Sequence, residues 1–182
     1  DFRMVFVGSG TDFDEIKKYI KKTGLEPKVI YAGAVYDREE LRAWYCRADL
    51  LLFPSTFDTN GLVVREAAAC SLPAILVEGS CAAEGVKDGR NGYLIAENAV
   101  ALAVKLDRIC QNMDGIHQVG KNAGNEIYIS WEDSIRKATE RYEVVIDRYR
   151  SGLYPERKKL TDEFFKSFGE LMSFDLSQHI SF

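Results

Sequence analysis

Short apolar runs alternate with amphipathic stretches from Met4 to Ile95. Met4 to Val7 runs into Gly8-Ser9-Gly10, which predicts a buried strand and a tight turn. Asp12 is placed to cap a helix to about Lys22, with Phe13, Ile16 and Ile20 on its apolar face and Gly24 as its stop. Val29 to Ala32 reads as a second strand, ended by Gly33. Asp37-x-x-Glu40 has the form of a capping box, and Leu41, Trp44, Tyr45 and Ala48 mark the inward stripe of the helix it opens. Leu50 to Phe53 is continuously apolar, as in a parallel strand covered on both faces, and Pro54 ends it. After a polar loop a helix runs from Gly61 to about Cys70, and Pro73 leads into a strand over Ala74 to Val77. A small-residue loop spans Gly79 to Gly85, Asp88-Gly89 is a turn, and Tyr93 to Ile95 is a last short strand.

Beyond Ile95 the period becomes helical. Leu102, Leu106, Ile109 and Met113 keep helical spacing, and Ser130-Trp131-Glu132-Asp133 opens a helix to about Arg150. Strands alternating with helices over short loops predict an α/β fold, a Rossmann-like open parallel sheet with helices on both faces. Residues 1–150 form that domain in this reading. Tyr154-Pro155 breaks the order, and 151–182 forms a tail with Leu160, Phe164, Phe168 and Leu171 on one helix face.

Composition narrows the class. At 46% hydrophobic and 29% charged, the 182 residues suit a globular domain rather than a disordered chain. The net charge of −4 argues against a dedicated nucleic-acid binder. Cys46, Cys70, Cys81 and Cys110 form no C-x-x-C pair, and neither His117 nor His179 stands with them at a zinc-ligand spacing, so no zinc pattern emerges. The cysteines sit in apolar or small-residue runs and read as reduced, partly buried thiols. No apolar run has the length to span a bilayer.

The segment from Phe53 to Glu66 carries the chemistry. In open α/β sheets ligands bind beyond the carboxyl ends of the strands, where Gly8 to Thr11, Gly33 to Asp37 and Pro54 to Asn60 would lie. Asp58 stands in the third of these loops, and Glu66 follows about a turn and a half into the next helix. A carboxylate accepts two hydrogen bonds in a fork, which suits the vicinal hydroxyls of a sugar or ribose. Between them, a helix start offers free N–H groups and a positive dipole end to a phosphate, and Gly61 allows close approach. Taken singly, a loop Asp and a helical Glu are more often solvated charges.

The ordered series around this segment resembles the C-terminal domain of the retaining family 4 (group 1) glycosyltransferases, whose fold is the two-domain GT-B. The resemblance is carried by Gly8-Ser9-Gly10, Tyr31-Ala32-Gly33-Ala34-Val35, Ala48 to Ser55, the Asp58 and Glu66 pair, Glu66-Ala67-Ala68-Ala69-Cys70, Leu72-Pro73 and Asp88-Gly89-x-Asn91-Gly92-Tyr93-Leu94. It departs at Asp58, where the family has Glu, and at Ser71, where it usually has Gly. The family's diphosphate-clasping Arg and Lys have no counterpart here, and the chain opens at Asp1-Phe2-Arg3 straight into a strand. Both features are expected of a piece whose N-terminal domain lies elsewhere in a longer enzyme.

The resemblance implies transfer of a sugar from a nucleotide-sugar donor with retention of configuration, by an enzyme incomplete without that N-terminal domain. Asp58 and Glu66 would be the catalytic-motif carboxylates, Glu66 on the donor ribose and Asp58 facing the sugar. Thr59, Asn60, Gly61 and Leu62 would present amides to the sugar and diphosphate. Gly8, Gly10, Gly33, Val35 and Tyr36 would line the donor pocket; Tyr36 either stacks on the base or packs locally in its loop. No cofactor or metal is expected. Gly79 to Gly85 would shape the sugar pocket, and a nucleophilic Cys81 is the less favoured reading. The tail would cover the N-terminal domain, with Arg157, Lys158 and Lys159 leaving contact with anionic lipid as the alternative. The expected location is cytoplasmic, at or near the inner face of the membrane. A sugar-nucleotide epimerase of GT-B architecture and a non-catalytic nucleotide-binding module are the alternatives.

Overall fold

Among the described residues every strand pairing is parallel. The computed structural model describes residues 2–153. The chain divides into two compact units, Asp1–Ile129 and Ser130–Phe182. The first holds β1 (Met4–Val7), α1 (Phe13–Lys22), β2 (Val29–Gly33), α2 (Arg38–Arg47), β3 (Leu51–Phe53), α3 (Leu62–Ala69), β4 (Ala74–Val77), β5 (Tyr93–Ile95), α4 (Ala99–Ile109) and α5 (Met113–Glu126). The α/β alternation is the one that the hydrophobic pattern predicts. The ladder forms two sheets, β1-β2 and β3-β4-β5, rather than one continuous sheet.

Sheet position decides burial. β4 lies between two neighbours and is buried along its whole length, with Ile75 and Leu76 fully inaccessible. Successive side chains of β4 point to opposite faces. Leu76 meets Val64, Ala68, Ala123 and Ile127 on one face, while Ile75 meets Tyr93, Ile95, Ile116 and Val119 on the other. Helices therefore cover this sheet on both sides. β3 is different. Its apolar run predicts cover on both faces, but as an edge strand it is only half-buried, and it starts at Leu51 rather than Leu50.

Helix ends follow local chemistry, with three corrections. The Asp37 carboxylate accepts from the Glu40 N–H at 2.8 Å, as the capping-box spacing predicts. Asp12 occupies the cap position of α1, but its side chain makes no capping bond. On α2 the expected inward stripe is only half-buried at Leu41, Trp44 and Tyr45, and Ala48 is exposed just past the helix end. The spacing that joins Leu102, Leu106, Ile109 and Met113 spans two helices. The chain leaves α4 at Cys110, and the Asn112 side chain accepts from the Gly115 N–H at 2.9 Å to start α5, so Met113 opens the second helix.

α5 packs closely on the turn between α3 and β4. A Cβ on Gly120 would stand 2.0 Å from the Ser71 carbonyl oxygen, so only glycine admits this approach. Ser71 itself has φ 57°, the left-handed conformation that usually follows a helix end on glycine. The Asp88–Gly92 turn is also built from inside. Asn91, 3% exposed, accepts from the Lys87 N–H at 2.7 Å and donates to Glu126 at 2.9 Å.

Three of the four cysteines, Cys46, Cys81 and Cys110, are exposed rather than partly buried; Cys70 is intermediate. In the second unit, α6 (Trp131–Arg150) starts where Ser130 Oγ accepts from the Asp133 N–H at 3.0 Å. Arg136 bridges Asp133 and Glu140 along its surface. The expected tail helix, its basic residues and His179 lie outside the described residues.

Candidate functional site

The loops at the carboxyl ends of the strands are tied together pairwise. Gly8, after β1, donates its N–H to the Gly33 carbonyl at the end of β2, at 2.7 Å. This holds the Gly8–Gly10 turn beside the Gly33–Tyr36 loop. Thr56, after β3, donates to Glu97, just past β5, at 3.4 Å. The Pro54–Gly61 loop and the Gly79–Gly85 loop meet where Gly61 packs on Ala82. Gly61 has φ 60°, and a Cβ there would stand 3.0 Å from the Ala82 α carbon. The structure thus gives Gly61 a role in loop packing besides any approach to a ligand.

Asp58 and Glu66 face different tasks in the chain as it stands. Asp58 turns back on its own loop, accepting from the Asn60 N–H at 2.8 Å and from the Gly61 N–H. Its carboxylate therefore engages two of the amides expected to face a ligand. Leu62 and Val63 follow at the start of α3, where first-turn amides have no preceding helical carbonyl. Thr59 is exposed, and Leu62 is largely so.

Glu66 is held from α2. Arg38 Nη1 donates to Oε1 at 3.0 Å, and the Tyr45 hydroxyl donates to Oε2 at 3.1 Å. The Glu66 side chain keeps 38% of its surface accessible, so it is partly open to solvent. Burial, with the Glu66 charge and hydrogen bond added, pushes the Tyr45 phenol well above its ordinary range and keeps it a donor. One turn beyond Glu66, burial and the neighbouring Cys46 thiol push the Cys70 thiol up, away from thiolate chemistry. Neither Arg38 nor Tyr45 stands out in the sequence. The available signal is that both lie on the helix directly after the Gly33–Asp37 loop, whose carboxyl-end position was legible.

Tyr36 is 91% exposed, which excludes the local-packing alternative for its ring. Phe57, in the Pro54–Gly61 loop, is 96% exposed. Cys81 is exposed within a short 3-10 turn, Cys81–Ala83, packed against Gly61. The chain's Asp-x-Asp sequence, Asp12-Phe13-Asp14, lies at the start of α1. Among the described residues no three His, Cys, Asp or Glu side chains gather as a metal-holding group. Among them, too, no helix is long and apolar enough to cross a membrane.

Residues 1–126 match the family model of glycosyl transferases group 1. A similar relative is the N-acetyl-alpha-D-glucosaminyl L-malate synthase of Bacillus anthracis, 28% identical over 153 residues, which cover 80% of this chain and 37% of that enzyme. Among solved structures, Anabaena HepE in complex with UDP superposes with a TM-score of 0.60 at 25% identity, over 68% of this chain and 35% of that one. The C-terminal domain of a group 1 glycosyl transferase family protein, LpcC from Francisella tularensis, superposes with a TM-score of 0.62 at 26% identity, over 69% and 67%. The chain spans between 24% and 42% of the length of these curated relatives. The architecture is that of a Rossmann-like domain of a GT-B glycosyltransferase. With the family model covering residues 1–126 of 182, the chain belongs to the group 1 glycosyl transferases.

Proposed function

We propose that this chain is the donor-binding domain of a retaining family 4 glycosyltransferase, which transfers a sugar from a nucleotide-sugar to an acceptor held by an N-terminal domain of the same enzyme. The observation that carries the reading is the arrangement of Glu66: an accessible carboxylate on the first helix after the β3 loop, within reach of the helix that follows the β2 loop. The Glu66 carboxylate accepts the two ribose hydroxyls of the donor. Val35 and the exposed ring of Tyr36 flank the base, and the Gly8–Gly10 turn leaves backbone room beside them.

The diphosphate lies at the start of α3, where the Leu62 and Val63 amides and the helix dipole meet negative charge. As the glycosidic bond to the donor breaks, charge grows on the departing diphosphate, and fixed dipoles aimed there lower the barrier. The reading invokes no metal. Asp58 organises the Asn60 and Gly61 amides into the turn that presents α3, and meets the transferred sugar by releasing one of them. A cytoplasmic location belongs to the same proposal.

The family match disfavours an epimerase. Superposition on a protein solved with UDP favours uridine among the candidate bases. Calorimetric titration of the folded chain with UDP, GDP and ADP tests the reading. Binding of at least one is expected, UDP first; a folded sample that binds none contradicts it.

A further inference from the structure

Both oxygens of Glu66 are held from one helix, but by donors of different character. Arg38, at the start of α2, has a side chain 80% exposed, and its ion pair is screened by water and salt. Tyr45, two turns further on, is half-buried, and a hydroxyl in that setting is costly to leave without its acceptor. The first contact is easily exchanged and the second is not. An ionised carboxylate has about four acceptor positions, so the Tyr45 bond leaves room for a diol on the same group.

We propose that Tyr45 is a positioning residue for Glu66: its hydroxyl fixes the carboxylate so that it meets the cis-diol of a nucleoside diphosphate, and Arg38 is the counter-ion that the diol displaces. The inference rests on the assignment of Glu66 to the donor ribose. A carboxylate already fixed at one oxygen loses less torsional freedom when the diol arrives, which is how pre-organisation raises affinity. Arg38 holds the other oxygen until then and, once displaced, remains a cation beside the Gly33–Asp37 loop.

The test is a calorimetric titration of the chain with whichever of UDP, GDP and ADP it binds best, and with the 2′,3′-dideoxy form of the same compound. The unsubstituted chain prefers the ribose form by about tenfold or more, the size of charge-assisted hydrogen bonds lost with the diol. Glu66→Ala removes that preference. Tyr45→Phe lowers it to about threefold or less while binding of the dideoxy form stays within about twofold, and Arg38→Ala leaves it at or above the unsubstituted value. If Tyr45→Phe keeps the full preference, or weakens both compounds equally, the positioning role is overturned even though Glu66→Ala behaves as expected. If Glu66→Ala keeps the preference, the ribose assignment itself fails. Should Tyr45→Phe not fold, Arg38→Ala still decides, because weaker binding of the ribose form in that variant overturns the exchangeable role of Arg38.

Discussion

A Cβ on Gly61 would lie 3.0 Å from the Ala82 α carbon, so the loop after β3 and the loop after β4 are in contact at a residue that has no side chain to give way. Gly61 also heads α3 with φ 60°. Gly61→Ala therefore meets two penalties, a left-handed backbone of about 1–2 kcal/mol and a backbone clash. A loss of about 2 kcal/mol or more in urea unfolding is expected, and nucleotide binding should fall with it. Unchanged stability would show that the two loops part readily.

Ser71 and Gly120 give a pair of opposite outcomes. Ser71 holds φ 57° without being glycine, so Ser71→Gly should stabilise the fold by about 0.5–1 kcal/mol. A Cβ on Gly120 would meet the Ser71 carbonyl oxygen at 2.0 Å, which is backbone and cannot rotate away. Gly120→Ala should cost about 3 kcal/mol or more, at the upper end of single-site effects. Thermal or urea melts of the two variants, shifting in opposite directions, check this.

Asp58 separates turn geometry from charge. Its carboxylate accepts from the Asn60 and Gly61 amides, and an Asn side chain keeps that geometry. Asp58→Ala should cost about 1 kcal/mol, while Asp58→Asn should stay within about 0.5 kcal/mol of the unsubstituted chain. If Asp58 also meets the sugar, Asp58→Asn will weaken binding of the nucleotide-sugar more than of the nucleoside diphosphate. Equal weakening of both confines Asp58 to a structural role.

Asp88 predicts a pH dependence. Burial alone would raise its pKa, but the Leu94 N–H and the Lys105 ammonium at 2.9 Å outweigh it and hold the carboxyl below its ordinary value. A carboxyl lowered in the folded state contributes stability above its unfolded pKa, and that contribution is lost as pH falls through the folded value. The loss therefore begins near about pH 5, where unfolded Asp starts to protonate, and is complete below the folded value. Asp88→Asn should lower stability at neutral pH and flatten the acid limb of a stability–pH curve; a limb of unchanged slope would assign it to other carboxylates.

Local order was legible in the sequence, while contacts between distant segments were not. The capping box at Asp37 and Glu40 is encoded within four residues, and the structure makes its bond. The first three strands were legible because their apolar runs end on Gly8, Gly33 and Pro54. Arg38 and Tyr45 reach Glu66 across 28 and 21 residues, and nothing in their own neighbourhoods marks that meeting. The break at Asn112 was hidden because Met113 keeps the period of Leu102, Leu106 and Ile109 across it. α5 was missed because Gly115, Gly120 and Gly124 lower helix propensity, yet Gly120 and Gly124 are what allow its close packing. The half-burial of β3 follows from its place at a sheet edge, which a hydrophobic run does not reveal.

The central claim is that Glu66 holds the donor, and its neighbour in sequence provides the control. Arg65 donates to the Ile127 carbonyl at 3.1 Å, away from the Arg38–Tyr45 grip. Calorimetry with a nucleotide-sugar such as UDP-glucose compares Glu66→Ala with Arg65→Ala. Glu66→Ala should weaken binding by about tenfold or more, as expected for lost charge-assisted hydrogen bonds, and Arg65→Ala by about twofold or less. Equal effects of the two substitutions on a folded chain would contradict the assignment.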